Sequence, residues 1–229
     1  MPAVTSPGPI AITHEPMRLA FELAWQSVCA GSLGIGAVVT RSDRSVVTTG
    51  RNRLFETDPG DDHLAGTSLA HAELNALAKL RWGAHQNEHL VLWTTLQPCL
   101  QCLGAIRLAP INEVRILAPD PLFRGVEGIR HVTAFVGRNW PEVVQDEVDE
   151  WSVLSLLFPT HAAAYFDAWA EGWREALPAT SSLAVDLARS GELVDLATRA
   201  VDVAALAGAL WNRLAPCVGE IAHLATIGA

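Results

Sequence analysis

Two short motifs in this sequence carry side chains that bind transition metals. They are His71–Glu73, which reads HAE, and Pro98–Cys102, which reads PCLQC. A catalytic zinc site uses about three protein ligands and leaves a position open for water, and one imidazole with two thiolates meets that requirement. Cys99 and Cys102 are three residues apart, so at a helix start they face the same side, where the helix dipole favours the thiolate that binds metal. Taken alone, the cysteine pair would also suit a redox centre or half of a structural zinc site, but together with His71 it predicts one bound zinc ion.

A carboxylate and an amide near these ligands indicate what the metal would do. Zinc lowers the pKa of a bound water from about 15.7 to about 7, so a neighbouring group must move protons. Glu73 lies two residues after His71, so its side chain is close to the metal but points in a different direction from the histidine. It is the predicted proton shuttle. The backbone N–H groups at the two helix starts, at Ala72 and Cys99, are free to contact a substrate. Asn52 offers both a donor and an acceptor, which suits a ring with adjacent carbonyl and N–H groups.

Hydrophobic periodicity predicts the elements that position these motifs. Helical spacing and short β-like runs occur in the order helix, hairpin, helix, strand, helix, strand. The corresponding segments are residues 15–30, 35–40 with 45–49, 68–82, 89–96, a helix opened by Pro98, and 111–117. Ser68 is the predicted cap of the second helix. Strands that alternate with helices in this way predict an α/β layered core.

The sequence changes character after Pro121. From Pro141 onward it is rich in alanine, leucine and tryptophan. We predict four or five helices there, with breaks near Pro159, Pro178, Ser190-Gly191 and Pro216. The predicted organisation is an N-terminal arm at residues 1–14, a zinc-binding core at 15–130 and a helical C-terminal region at 131–229.

The two motifs and their surroundings resemble the cytidine and deoxycytidylate deaminase superfamily, whose zinc enzymes share a His-x-Glu…Pro-Cys-x-x-Cys signature. The likeness runs from about residue 15 to 120 and includes Met17–Ala24, Gly36–Val39, Leu90–Cys102 and Ile111–Ile116. Within the superfamily the chain is most similar to the branch that contains bacterial guanine deaminases, cytosine deaminases and tRNA adenosine deaminases. It departs from the pattern at Gln97, where glutamate is usual, and at Gly34-Ile35, where proline followed by valine or phenylalanine is common.

This resemblance implies a three-layer α/β/α cytidine-deaminase-like core with a mixed sheet, followed by an α-helical C-terminal extension. It implies one zinc ion per subunit held by His71, Cys99 and Cys102, with Glu73 as the proton shuttle and Asn52 holding the substrate ring. A homodimer is implied as well.

Composition and charge narrow the choice of partner and cellular setting. The formal net charge of −9 and the pI of about 5.3 give no indication of a positively charged surface that would bind a phosphate backbone. We therefore do not expect nucleic acid as a partner. Four cysteines are too few for a disulfide framework in a chain of this length, and Met1–Pro16 lacks a signal-peptide pattern. Four charged residues interrupt the apolar stretch from Leu193 to Leu214. We therefore expect a cytoplasmic protein without a membrane span.

Three functional hypotheses remain at this point. The leading one is a zinc-dependent hydrolytic deaminase of a free nucleobase or nucleoside, with guanine and cytosine as the first substrates to try. A second is a tRNA adenosine deaminase, which requires a basic surface to hold phosphates. A third is a non-catalytic, zinc-stabilised scaffold whose helical region binds a partner; it predicts that replacing Glu73 changes nothing measurable.

Overall fold

The centre of the molecule is a five-stranded mixed sheet, seen in a computed structural model that describes residues 12–164 and 167–227. Its strands are β1 (Gly36–Arg41), β2 (Val46–Arg51), β3 (Leu90–Leu96), β4 (Glu113–Ala118) and β5 (Glu142–Gln145). The strand order is β2-β1-β3-β4-β5. β1 is antiparallel to β2 and to β3, whereas the pairs β3–β4 and β4–β5 are parallel. The mixed sheet predicted from the family resemblance is confirmed.

Helices pack on both faces of this sheet. Before β5 they are α1 (Glu15–Cys29), α2 (Ala72–Ala78), α3 (Leu100–Leu108) and α4 (Ala134–Gly137). After β5 they are α5 (Glu150–Ala163), α6 (Asp167–Ala176), α7 (Pro178–Ser190), α8 (Glu192–Thr198) and α9 (Val203–Ile227). Two short 3-10 helices, at Pro121–Phe123 and Val126–His131, follow β4.

Alternate side chains of the strands contribute to two separate hydrophobic clusters. Ala37 and Val39 of β1 belong to a cluster with residues of α2 and α3. Val38, between them, belongs to a cluster with residues of α1 and of α5 to α9. Because successive side chains of a strand point to opposite faces, the two clusters lie on opposite sides of the sheet. This is the predicted three-layer architecture, with the C-terminal helices adding to one outer layer.

Two glycines allow the strands and helices near the site to approach closely. A Cβ atom at Gly36 of β1 would lie 2.0 Å from the carbonyl oxygen of Ala20 in α1. A Cβ atom at Gly50 of β2 would lie 2.3 Å from the carbonyl oxygen of Ala72, the first residue of α2. Both distances are impossible for a real side chain, so only glycine allows this packing at either position.

The second helix is shorter than its periodicity predicted. It begins after His71, which is its N-cap with an extended backbone, and ends at Ala78 instead of near residue 82. Ser68 is therefore not the cap. The N–H of Arg53 donates to the carbonyl of Ala70 at 2.9 Å, and this tie to the segment after β2 holds the chain before His71 out of the helix.

One predicted break is wrong because of burial. α5 continues through Pro159, although an internal proline costs a helix about 3 kcal/mol. Every residue from Trp151 to His161 is buried, so the apolar surface that this helix removes from water offsets that cost.

The break predicted at Pro216 is also wrong, since α9 runs through it and keeps buried residues on both sides, including Leu214 and Cys217. The other two predicted breaks are confirmed. α7 begins at Pro178, and Gly191 adopts a left-handed φ of +71° between α7 and α8.

The central sheet extends past residue 130. β5 pairs with β4, starting from Glu142 opposite Glu113, and Ser152 of α5 donates to the carbonyl of Leu117 at 2.8 Å. The C-terminal region is therefore not purely helical, and the division at residue 130 stays a prediction. Most of the predicted arm, residues 1–11, lies outside the described residues. Among the residues that are described, we find no helix with the length and apolar character needed to cross a membrane.

Candidate active site

Three potential metal ligands converge where α2 and α3 begin. His71 is the N-cap of α2, Cys99 is the N-cap of α3, and Cys102 lies in the first turn of α3. Nδ1 of His71 is 3.6 Å from Sγ of Cys99 and 3.4 Å from Sγ of Cys102, and the two sulfurs are 3.6 Å apart. β3, which is parallel to β4, leads through Gln97 and Pro98 to the cysteines and so places them next to the helix start that carries the histidine.

These separations fit a tetrahedral zinc ion. Ligands at Zn–S of about 2.3 Å and Zn–N of about 2.0 to 2.1 Å, at tetrahedral angles, are about 3.5 to 3.8 Å from one another. The three ligand atoms here all lie within 4.8 Å of one another, and one imidazole with two sulfurs is a donor set that zinc accepts. The residues present therefore fit the ion that the sequence predicts.

Cys99 has a pKa shift toward the deprotonated form that binds metal, whereas Cys102 and His71 are shifted toward protonated forms, whose protons a bound metal would displace. A hydrogen bond between the two thiols, together with one to His71, lowers the pKa of Cys99 from 9.0 to about 4. The same thiol pair and burial raise the pKa of Cys102. Burial tends to lower the pKa of His71, but its hydrogen bond to Cys99 and the nearby acidic groups outweigh burial and raise it.

Glu73 is a buried carboxyl group beside this cluster. It is 3 % exposed, and its Oε2 lies 3.4 Å from Sγ of Cys102. Oε1 accepts a hydrogen bond from the Thr94 hydroxyl at 3.3 Å. Burial raises the pKa of Glu73, and the charge of His71 only partly opposes this. A carboxyl group with a raised pKa gives up and regains its proton closer to neutral pH, which suits general acid–base chemistry.

Asn52 follows β2 directly and is fully buried. Its Oδ1 accepts hydrogen bonds from the Ser32 hydroxyl at 2.7 Å and from the Leu54 N–H at 3.0 Å. Within the described part of the chain, its Nδ2 has no hydrogen-bond partner. Since a buried donor without a partner costs about 1 to 3 kcal/mol, this amide is held ready to donate to another group.

The backbone positions named from sequence lie in the same place. Ala72 is the first residue of α2, and Cys99 is the cap of α3, so their N–H groups have no acceptor inside the helices. The neighbouring N–H of Arg53 donates to the carbonyl of Ala70, which ties the segment after Asn52 to the segment before His71. The structure thus brings His71, Glu73, Cys99 and Cys102 together, and it places Asn52 on a segment that is hydrogen-bonded to the segment before His71.

Sequence reasoning did not single out two hydroxyl groups that orient the site. Ser32 bonds to Asn52, and Thr94 bonds to Glu73. Serine and threonine are common in loops and strands, so no local pattern distinguishes these two. The only available signal was position, because Thr94 lies on the strand that leads into the cysteine motif.

A buried polar group behind the cysteines was also missed. The Oε1 of Gln97 accepts from the Asp120 N–H at 3.0 Å, and the Trp173 indole of α6 donates to Oδ1 of Asp120 at 3.1 Å. Burial raises the pKa of Asp120 from 3.8 to about 6. Gln97, noted from sequence only as a departure from the family pattern, thus connects the cysteine segment to the C-terminal helices.

Two cavities of the structure lie away from the metal cluster. One, of about 950 Å³, lies between the loop at residues 80–88 and the end of α3, and none of the predicted site residues lines it. A smaller cavity of about 350 Å³ includes Ser32 in its wall. This smaller cavity is next to the site, because Ser32 of its wall contacts Asn52.

Comparison with known proteins also identifies a zinc-binding region in this part of the chain. Residues 11–118 match the family model of the cytidine and deoxycytidylate deaminase zinc-binding region. A tRNA-specific adenosine deaminase of Haemophilus influenzae is 36 % identical over 113 residues, covering 47 % of this chain and 58 % of the relative. A guanine deaminase of Bacillus subtilis is 35 % identical over 100 residues, covering 42 % of this chain and 58 % of the relative. The chain thus spans little more than half the length of these two relatives.

A solved structure shows that the fold is shared over a larger part of the chain. A guanine deaminase from Nitrosomonas europaea superposes with a TM-score of 0.50 at 18 % identity, covering 70 % of this chain and 89 % of the other. That likeness supports the fold, while the family model and the sequence relatives identify the zinc-binding region. Residues 11–118 of this chain therefore match the cytidine and deoxycytidylate deaminase zinc-binding region.

Proposed function

We propose that this protein is a zinc-dependent hydrolytic deaminase that converts an amino group on a nucleobase or nucleoside to a carbonyl and releases ammonia. The observation that carries the proposal is the position of Glu73. Its carboxylate is buried 3.4 Å from a cysteine of the ligand cluster, yet it is not one of the three clustered ligands. A purely structural metal site has no need of such a group.

The residues have separate roles in this proposal. His71, Cys99 and Cys102 hold the zinc ion, which when bound supplies the Lewis acidity that activates water. Glu73 takes up the proton released from water at a carboxylate oxygen and delivers it to the departing nitrogen, so that amine and water become carbonyl and ammonia. Thr94 holds the other carboxylate oxygen and so fixes the direction in which Glu73 works.

Asn52 orients the substrate ring in this proposal. Its Oδ1 is occupied by Ser32 and Leu54, so the amide cannot rotate without losing both bonds. The Nδ2 group then donates to a ring carbonyl. The backbone N–H groups of Ala72 and Cys99 are further donors at the two helix starts.

Free guanine and cytosine, or their nucleosides, are the first proposed substrates. The net charge of −9 supports a small substrate over a polynucleotide, and a guanine deaminase is among the relatives. A tRNA adenosine deaminase of Haemophilus influenzae is also among them, so tRNA adenosine is the second candidate. Binding of tRNA at physiological salt separates the two.

The cellular setting and assembly are part of the same proposal. All four cysteines are free thiols, and a reducing cytoplasm keeps Cys99 and Cys102 available as ligands. A homodimer follows from the family resemblance. Light scattering of the purified protein measures the oligomeric state.

The deciding experiment is an ammonia-release screen of zinc-loaded protein over bases, nucleosides, nucleotides and related aminoheterocycles. For the best substrate, we expect Glu73→Gln to retain one zinc per chain and to lose about 10² to 10⁴-fold in rate, as loss of a general acid–base group does. Undiminished ammonia release by Glu73→Gln would contradict the assigned role. No ammonia release from any compound by the zinc-loaded wild type would favour the scaffold hypothesis.

A further inference from the structure

A cavity lies near Asn52, and two of the C-terminal helices form part of its wall. Its volume is about 350 Å³, and its wall comes from the end of α1, the loop before β1, the segment after β2, α5 and α8. The residues that line it include Ser32, Phe55, Phe158, His161 and Ala197. Ligand pockets have volumes of about 300 to 1,000 Å³, so this cavity is large enough for a small ring.

One residue in the wall of this cavity contacts the proposed substrate amide. Ser32, which lines it, donates to Oδ1 of Asn52 at 2.7 Å. Leu54, next to the lining residue Phe55, donates to the same oxygen at 3.0 Å. Both chain segments that orient the Asn52 amide therefore contribute a residue to the cavity wall, Ser32 from one and Phe55 from the other.

α5 is held against this wall by a glycine. Gly34 adopts a φ of +71°, and a Cβ atom there would lie 2.5 Å from Cβ of Phe158. The proline that is common at this position in the family could not adopt this φ, so the departure noted from sequence allows α5 to pack here. His161 lies three residues after Phe158 on the same side of the helix, and both line the cavity.

The chemistry of the wall favours an uncharged ring. Among the described residues that line the cavity, none is lysine, arginine, aspartate or glutamate. Phe55 and Phe158 supply aromatic faces, on which planar rings stack. His161 is 8 % exposed, and burial lowers its pKa, so at neutral pH it is an uncharged imidazole with one donor and one acceptor.

We propose that this cavity is a specificity subsite that takes the uncharged, non-reacting part of the substrate, with His161 as its polar contact. The inference rests on the proposed deaminase function and deepens it. The occupant is the far ring of a base or the sugar of a nucleoside, and a phosphate group is excluded because nothing in the wall balances its charge. Specificity is then set by α5 and α8, which lie outside the matched family region of residues 11–118.

The test compares two identical substitutions on different helices. Ala197→Leu on α8 fills the cavity, whereas Ala209→Leu places the same side chain at an exposed position of α9. His161→Leu removes the polar contact and is a second variant in case Ala197→Leu does not fold. Equilibrium dialysis on the zinc-loaded Glu73→Gln background measures binding of guanine, guanosine, cytosine, cytidine and the two 5′-monophosphates.

We expect the best uncharged ligand to lose at least tenfold in affinity with Ala197→Leu and with His161→Leu, and less than twofold with Ala209→Leu. In the active enzyme, the same two variants should raise KM with little change in kcat. A base that loses as much as its nucleoside would identify the occupant as the far ring, and a loss confined to the nucleoside would identify it as the sugar.

Three results would overturn the subsite: unchanged binding in both cavity variants, no binding of any uncharged compound to the parent protein, or a 5′-monophosphate that binds tenfold more tightly than its nucleoside. Failure of the deaminase function looks different. In that case the uncharged ligands bind and respond to Ala197→Leu, but the wild type releases no ammonia.

Discussion

The two helical layers on either side of the sheet contribute in different ways. α2 and α3 are only 7 and 9 residues long, and their N-terminal ends carry the three candidate metal ligands and Glu73. The opposite layer contains α1 and the C-terminal helices, with α5 buried along most of its length. A metal site needs accurately placed helix starts, and the layer of α2 and α3, here called the thin layer, supplies them. Resistance to unfolding depends on buried apolar surface, and the layer of α1 and the C-terminal helices, here called the thick layer, supplies it.

The two layers are nevertheless connected around the edges of the sheet. Trp173 of the thick layer bonds to Asp120, whose N–H bonds to Gln97 beside the cysteine motif. On the other side, Ser32 and Ser27, which precede β1, bond to the side chain and backbone of Asn52. Substitutions that separate chemistry from stability test how independent the layers are.

The largest effect is expected at a ligand of the thin layer. Cys102→Ser replaces a sulfur that is fully buried at the centre of the cluster, so the variant should lose stoichiometric zinc and all ammonia release. Because metal binding adds to folding free energy, zinc should no longer raise its unfolding temperature. Elemental analysis and thermal unfolding measure both. Cys29→Ser, at an exposed thiol, is the control and should keep its zinc.

A large effect on turnover without loss of metal is expected at Asn52. Asn52→Asp retains an oxygen to accept from Ser32 and Leu54 but replaces the Nδ2 donor with a second acceptor. Loss of that donor should lower kcat/KM by about 10 to 100-fold, the equivalent of 1 to 3 kcal/mol. Steady-state kinetics and zinc content provide the readouts. A variant that keeps wild-type kcat/KM would show that Nδ2 does not contact the substrate.

The thick layer should show the opposite behaviour. Leu157 of α5 is fully buried, and Leu157→Ala should lower the free energy of unfolding by about 2 to 5 kcal/mol. The folded fraction should still bind one zinc per chain. Leu108→Ala, at a residue that is 71 % exposed, is the matched control and should change stability by about 0.5 kcal/mol or less. Loss of zinc from folded Leu157→Ala would mean that the layers are not separable.

The smallest effect is expected at the connection between the layers. Burial raises the pKa of Asp120 from 3.8 to about 6, so the folded protein holds this proton more tightly than the unfolded chain does. The resulting stability is present below pH 4 and is lost as the pH rises through 6. Relative to Asp120→Asn, the wild type should therefore lose about 1 kcal/mol between pH 5 and pH 7.5. Urea unfolding at the two pH values measures this, and a difference independent of pH would contradict the raised pKa.

Much of the layered core was predictable because its signals are local. Alternation and helical spacing predicted the elements that become α1, β1, β2, β3 and β4. The end of α2 and the helix breaks at Pro159 and Pro216 were predicted wrongly. In α5 the cost of proline is local, but the burial that offsets it comes from contacts with α7 and α9. β5 was missed because its four residues carry little pattern and it becomes a strand only by pairing with β4.

The sequence by itself determined which side chains could bind a metal and move a proton, because ligand type and a three-residue spacing at a helix start are properties of the chain alone. Tertiary structure decided how those groups are aimed. Thr94 orients Glu73, Ser32 orients Asn52, and α5 lies beside them because Gly34 leaves room for Phe158. These contacts join residues far apart in the chain, and their free energy arises only when the apolar layers around them exclude water.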